Sequence, residues 1–451
     1  MAVGRLVRRI PDRERTLTLT LVTPVPDFTR RDFVHTTAAA TAAIAFPVPL
    51  TRPRAPDPIR IGLVGCGGRG SGAAIDCIHA DAGVRVVALG DLFPDRITEA
   101  RAAVAKLAVE DPAVLAGFQV TDDAVFSGFD AYQKVIQADV DLVILATPPG
   151  FRPAHFAAAV AAGRHVFMEK PVAVDPAGIR SILATTGIAR QQGLAVVAGT
   201  QRRHHAGYRA AIERVHGGAL GELVGGQVYW NQVGLWHKPR LPEWSDAEWQ
   251  IRNWLYFTWL SGDHIVEQHI HNLDVANWVI GAHPVRAVGV GGRQWRTDTA
   301  FGHIYDHFAI EFEYPGGQRV QSMCRQIDGT APFVGERFQG TKGATDARSA
   351  IEGAAPWKVE SVTPNPYVQE HIDLIASIRA GKPLNEGQQV AESTLTAIMG
   401  REAAYTGQVI TWDELLVSTQ DLTPPALEFG PLAVPPVAMP GTTLLARTWN
   451  G

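Results

Sequence analysis

The chain has 451 residues, 46% of them hydrophobic and 19% charged, so it is too long for one ordinary core and two domains plus extensions are expected. A formal charge of -4 leaves no basic stripe to displace phosphate counterions, which argues against a nucleic-acid partner. The three cysteines, Cys66, Cys77 and Cys324, lack metal spacing and cannot form a disulfide framework.

Residues 1–57 read as an export signal and linker. Arg30-Arg31 precede a mild, alanine-rich run over 38–46, and Pro47, Pro49, Pro53, Pro56 and Pro58 follow. An arginine pair ahead of a modest apolar stretch looks like a twin-arginine signal, a route that carries proteins already folded. Its use puts the protein in the periplasm or outside the cell. The alternative is a disordered basic tail on a cytoplasmic protein. The run is too short to span a bilayer, and no membrane span is expected.

Over 58–199, apolar strands alternate with helical stretches, as a parallel doubly wound sheet requires. The apolar residues Ile59, Ile61, Leu63 and Val64 run straight into Gly65-Cys66-Gly67-Gly68-Arg69-Gly70, a G-x-G-x-x-G turn. Its first glycine permits a tight turn, the second lets backbone approach a pyrophosphate, and the third seats the following helix on the sheet. A second strand over 84–89 leads to Asp91, at the distance where an acid bonds a ribose 2′-hydroxyl. Together these predict a dinucleotide site. Asp91 favours NAD because a carboxylate repels a 2′-phosphate, while Arg96 leaves NADP open. Arg69 either touches the pyrophosphate or is solvated.

Helices are expected over 95–109 and 130–137, and a strand over 142–146 ends at Thr147-Pro148-Pro149, the kind of strand end that holds ligands in open α/β sheets. After a helix over 153–162 and a strand over 165–168 comes Glu169-Lys170-Pro171. A lysine projecting from a strand end can stabilise an alkoxide and help move a proton. The X-Pro bond behind it is a candidate for cis geometry.

The glycine turn, Asp91, Thr147-Pro148-Pro149 and Glu169-Lys170-Pro171, followed by Gly199-Thr200-Gln201-Arg202-Arg203, resemble the glucose-fructose oxidoreductase, inositol dehydrogenase and MocA (Gfo/Idh/MocA) family. The resemblance spans about 58–407 and implies a two-domain NAD(P) enzyme acting on sugars or cyclitols. It implies cofactor contacts from Gly65, Gly67, Gly68, Arg69, Gly70 and Asp91, and further ones from Thr147, Pro148, Glu169 and Lys170.

The second domain, 200–407, is expected to be α+β with a large, mostly antiparallel open sheet. A helix over 208–217 and a strand over 221–229 precede an aromatic segment, 229–260, that holds Trp230, Trp236, Trp244, Trp249, Trp254 and Trp259. Indoles stack on carbohydrate C–H faces, yet such rings also close an irregular insertion on itself. One or two are expected to face substrate, Trp236 among them, together with Arg202.

Helical spacing from Glu267 to Trp278 places Glu267, His271 and Asp274 on one face. His271 can take a hydroxyl proton while a neighbouring carboxylate fixes its tautomer. His271 matches the family's catalytic histidine; Glu267 stands where the family usually has aspartate, and Asp274 matches a further acid that the family often keeps, a substrate candidate better suited to a structural role. His264, His269 and His271 near Asp263 and Glu267 could ligate zinc, but His269 and His271 project to different sides of a helix and no cysteine joins them, so no metal is expected. Strands over 285–290, 307–313 and 318–325 continue the sheet, whose flat face suits a dimer or tetramer. Two amphipathic helices, 365–380 and 386–405, are expected to close the fold. Residues 408–451 read as an irregular, proline-rich arm.

The reading that follows is an NAD(P)-dependent oxidoreductase acting on a sugar, cyclitol or glycoside with a tightly held cofactor. Lys170, His271 and Glu267 are its catalytic group. The alternative is a redox-neutral glycosidase or lyase that passes through a keto-sugar, a branch that usually lacks the lysine kept here.

Overall fold

The computed structural model describes residues 57–360 and 364–445. Arg30-Arg31 and the alanine-rich run, the basis of the export reading, lie outside the described residues.

Six parallel strands form the first sheet: β1 (Ile59–Val64), β2 (Val84–Asp91), β3 (Val125–Ser127), β4 (Leu142–Leu145), β5 (His165–Met168) and β6 (Val196–Ala198). Their spatial order is β3-β2-β1-β4-β5-β6, so the direction of winding reverses between β1 and β4. Ligands bind at the carboxyl ends of strands flanking such a reversal. Both faces of this sheet are covered, which is why β4 reads Leu-Val-Ile-Leu without alternation and each of its residues is fully buried.

The second sheet has nine strands: β7 (Leu223–Gln232), β8 (Arg286–Gly292), β9 (His307–Glu313), β10 (Arg319–Gln326), β11 (Phe333–Gly340), β12 (Gly343–Thr345), β13 (Ala350–Gly353), β14 (Trp357–Lys358) and β15 (Ile410–Thr411). Pairing is antiparallel except between β7 and β10. Helix Ile270–Ile280 packs on β7 and helix Gly387–Thr406 on β8 and β9. The opposite face leaves Val290, Met323 and Phe333 exposed.

Several sequence expectations change. Helix Pro366–Arg379 returns to the first lobe: Leu374 and Ile375 share a core with Ile59, Ile61 and Val84, so 200–407 is not one continuous domain. Helix Gly387–Thr406 is buried nearly all round between the lobes, with only Gln388, Gln389 and Glu392 outside the core, so it is not amphipathic along its length. Residues 410–416 add a strand and a short helix to the second sheet, which moves the start of the irregular arm beyond 408. The helix expected to run on from Glu267 is broken into His264–Glu267 and Ile270–Ile280, and its backbone shifts so that His269 N–H donates to His264 O at 3.2 Å.

Candidate active site

The glycine turn is built by contact. Gly65 has φ +96°, and a Cβ there would sit 2.6 Å from the Ala146 and Thr147 backbone. At Gly70 a Cβ would lie 1.9 Å from Gly65 O, so helix Gly68–Ala80 approaches the strand only without a side chain. Gly67 and Gly68 differ: an added Cβ would meet nothing within 4 Å, which leaves open space over the backbone. No side chain caps the first turn of the helix and no acid stands in it, so its N–H groups are available to an anion.

Asp91 lies across this turn, with Oδ2 accepting from Cys66 N–H at 2.7 Å and Oδ1 from Phe93 N–H at 2.9 Å. Burial raises its pKa, and those two hydrogen bonds oppose the rise. A cavity of about 580 Å³ opens above, lined by Gly67, Asp91, Arg96, Thr147 and Pro148. An open glycine cradle, a helix start and a strand-end carboxylate fit an adenine dinucleotide. Arg69 lines the same cavity but its Nε pairs with Glu169 Oε1 at 2.5 Å.

Glu169 and Lys170 follow β5, and the Lys170–Pro171 bond is cis. Lys170 Nζ donates to the Glu267 carbonyl oxygen at 2.8 Å and to Glu267 Oε1 at 2.9 Å, crossing from the first lobe to the second. Beneath it lies Arg152, 1% exposed, whose guanidinium donates to Pro171 O and to Thr147 O. One buried cation therefore fixes both strand-end loops. Desolvation brings its pKa down to about 10, against attraction from Glu169 and Glu267.

His271 is buried beside this lysine and stacks on Trp230, with ring centroids 5.6 Å apart at 24°. Burial, and then the cations of Lys170 and Arg202, hold its pKa well below the usual imidazole value, so the ring is neutral and able to accept a proton. Glu267 does not orient it as expected. The helix break turns the carboxylate to Lys170, and Glu267 Oε2 is buried with no hydrogen-bond partner.

Asp274, the substrate candidate better suited to a structural role, is tied into the protein by hydrogen bonds. It accepts from Arg203 Nε at 3.0 and 2.9 Å and from Ser393 Oγ at 2.7 Å. Arg202 is anchored to Glu336, which also accepts from Asn272 Nδ2 at 2.7 Å and Tyr208 OH at 3.1 Å. Trp236, also expected at substrate, lines the dinucleotide groove and meets Trp254 edge-on, whereas Trp230 is the indole at His271. Most of the other rings close the insertion on itself, with Trp249 and Trp259 in a core with Tyr256 and Phe257. His264 bonds Asp263 and His269 bonds Ser322. Among the described residues no group of three or more His, Cys, Asp or Glu could hold a metal ion. Glu336 and Arg152 escaped the sequence reading. β11 follows a turn with no local strand cue, and Arg152 looks like an ordinary first-turn surface residue.

Residues 59–200 match a family model described as oxidoreductase family, NAD-binding Rossmann fold, and residues 208–345 match one described as GFO/IDH/MocA C-terminal domain. The chain is 26% identical over 370 residues to inositol 2-dehydrogenase 3 of Saccharopolyspora erythraea, covering 78% of this chain and 95% of that protein. A shorter stretch of 116 residues is 38% identical to a glycosyl hydrolase family 109 protein of Streptomyces niveus, 26% of this chain and 22% of that one. In fold, it is similar to scyllo-inositol dehydrogenase from Lactobacillus casei, solved with NAD(H) and scyllo-inositol, at TM-score 0.59 and 19% identity over 79% of this chain and 99% of that one.

Proposed function

The chain belongs to the Gfo/Idh/MocA oxidoreductase family, and we propose that it oxidises a secondary hydroxyl of a sugar, cyclitol or glycoside at the Lys170–His271 site. The observation that carries this reading is the joining of the lobes at Lys170: its ammonium is seated on Glu267 beside a buried, neutral His271. The glycine turn and Asp91 would hold NAD, which would supply the hydride acceptor.

The protein's own residues handle the proton. His271 accepts it from the substrate hydroxyl, since its lone pair is not consumed by protonation near neutral pH. Lys170 stabilises the negative charge that develops on the oxygen, in a site where burial strengthens the attraction. Glu267 holds the ammonium in place through Oε1 and its carbonyl oxygen. Trp230 presents an apolar ring to a carbohydrate face. Arg152 keeps the two strand ends in register. Myo-inositol and a panel of aldoses and glycosides, added to NAD-loaded protein, test the reading through the absorbance of reduced nicotinamide.

A redox-neutral glycosidase is the second reading, favoured by the 38% identity over 116 residues to a glycosyl hydrolase family 109 protein. The retained Lys170 weighs against it. Release of nitrophenol from nitrophenyl glycosides without net nicotinamide reduction would establish it.

Two further proposals concern setting. The open sheet face, with Val290, Met323 and Phe333 exposed, suits a second subunit, and light scattering at varied concentration tests for a dimer or tetramer. The Arg30-Arg31 pair supports twin-arginine export; a fusion of residues 1–57 to a folded reporter that stays in the cytoplasm would count against it.

A further inference from the structure

The dinucleotide groove has a wall that the first lobe does not supply. Trp236, Lys238, Ile251 and Trp254 line the same cavity as Asp91 and Arg96, and all four come from the insertion between β7 and helix His264–Glu267. That insertion is fastened to the first lobe at Arg252. Its guanidinium forks onto Asp95, with Nη1 and Nη2 at 2.9 and 3.2 Å from the carboxylate oxygens, while Nε pairs with Glu248 at 2.9 Å. The same guanidinium lies 3.7 Å from the centre of the Phe93 ring, two residues beyond Asp91. An isolated exposed ion pair contributes little, but a forked pair with a cation–π face and a partly buried arginine holds geometry as well as charge.

The C-terminal stretch backs this fastening. Phe429 stacks on Phe93, centroids 5.9 Å apart at 18°, and touches Phe129 at 5.1 Å. Gln250 Nε2 donates to Leu432 O at 2.7 Å, and Ala247 N–H to Gly430 O at 3.1 Å. Trp249, Ile251, Tyr256 and Phe257 share one apolar core with Phe93, and Leu92, Phe129 and Leu432 pack against it. The insertion and the first lobe together bound a cavity of about 580 Å³.

We propose that residues 235–256 form a cover over the dinucleotide groove, latched by Arg252 on Asp95, so that cofactor leaves only when the latch opens. The inference rests on the NAD-dependent reading above and deepens it: a cofactor retained between turnovers must be reoxidised in place by a second carbonyl substrate or by return of the hydride to the same molecule. Asp95 does not line the cavity, whereas Arg252 does, so Asp95→Asn takes the charge and one of the two acceptors from the latch without touching the groove.

The test is release of prebound NADH, followed by its fluorescence after a chase with excess NAD. Asp95→Asn and Arg252→Gln should each release NADH at least tenfold faster than wild type, and the double variant should be no faster than the more affected single. Equal release from wild type and Asp95→Asn would overturn the cover while leaving NAD binding intact. Failure of wild type to bind NADH at all would instead overturn the reading on which the cover rests.

Discussion

Lys170 and Glu267 form an ion pair of 2.9 Å across the two lobes, with side chains 13% and 9% exposed. Losing one partner of a buried pair leaves the other charge uncompensated, which commonly costs about 3–5 kcal/mol. Lys170→Ala is therefore expected to lower both stability and turnover, the latter by about 10²–10³-fold. Combining it with Glu267→Gln should restore the melting temperature but not kcat. Recovery of kcat in the double variant would show that the lysine is structural.

The glycine turn makes a paired prediction. Gly70→Ala puts a methyl 1.9 Å from Gly65 O and should unfold or strongly destabilise the first lobe. Gly67 sits at φ -69° and ψ 179°, open to any residue, so Gly67→Ala should stay within about 1 kcal/mol of wild type. Its methyl occupies the cradle, and NADH affinity should fall at least tenfold. Calorimetry and NADH titration on the two variants check this.

Arg152 ties Thr147 O to Pro171 O with a charge that reaches no solvent. Arg152→Met orphans both carbonyls, at about 1–3 kcal/mol each, and frees the loop that carries Lys170. The expected signature is a fall in kcat larger than any rise in KM, with partial rescue by Arg152→Lys. Unchanged kcat would confine Arg152 to folding.

How far the sequence carried depended on whether a feature was local. Gly65 to Gly70, Asp91 and the run Leu142 to Leu145 declare themselves because turn chemistry and apolar runs need only neighbours in sequence. Glu267 misled: helical spacing put it under His271, but Asp263 takes a positive φ of 76° to start one short turn, and the chain resets at Gln268. The partners of Asp274, Arg202 and Arg252 lie 71, 134 and 157 residues away, beyond any periodicity. Helix Pro366–Arg379 could not be assigned to a lobe from its own pattern, since either core would have accepted Leu374 and Ile375.

His371 gives a pH test. It is fully buried against Phe167, both ring nitrogens lack partners, and desolvation holds its pKa down at about 3. In the unfolded chain it titrates near the ordinary value of about 6.5. Between those values the unfolded state binds a proton that the folded state refuses, so this residue withdraws stability as pH falls, by about 1.4 kcal/mol per pH unit. Above about 6.5 it has no such effect. His371→Phe should thus gain on wild type steadily as pH drops from 7 to 5 in urea titrations. A difference independent of pH would mean that the imidazole titrates in the fold as it does in the unfolded chain.

The most direct measurement loads wild type and Lys170→Met with equal NAD, mixes each rapidly with a panel of cyclitols and aldoses that includes myo-inositol, and records nicotinamide reduction in one turnover. Wild type should form reduced nicotinamide with at least one member of the panel, and Lys170→Met should hold the same NAD yet form it at least a hundredfold more slowly. Equal rates in the two proteins, or no reduction in wild type across the panel, would contradict the account.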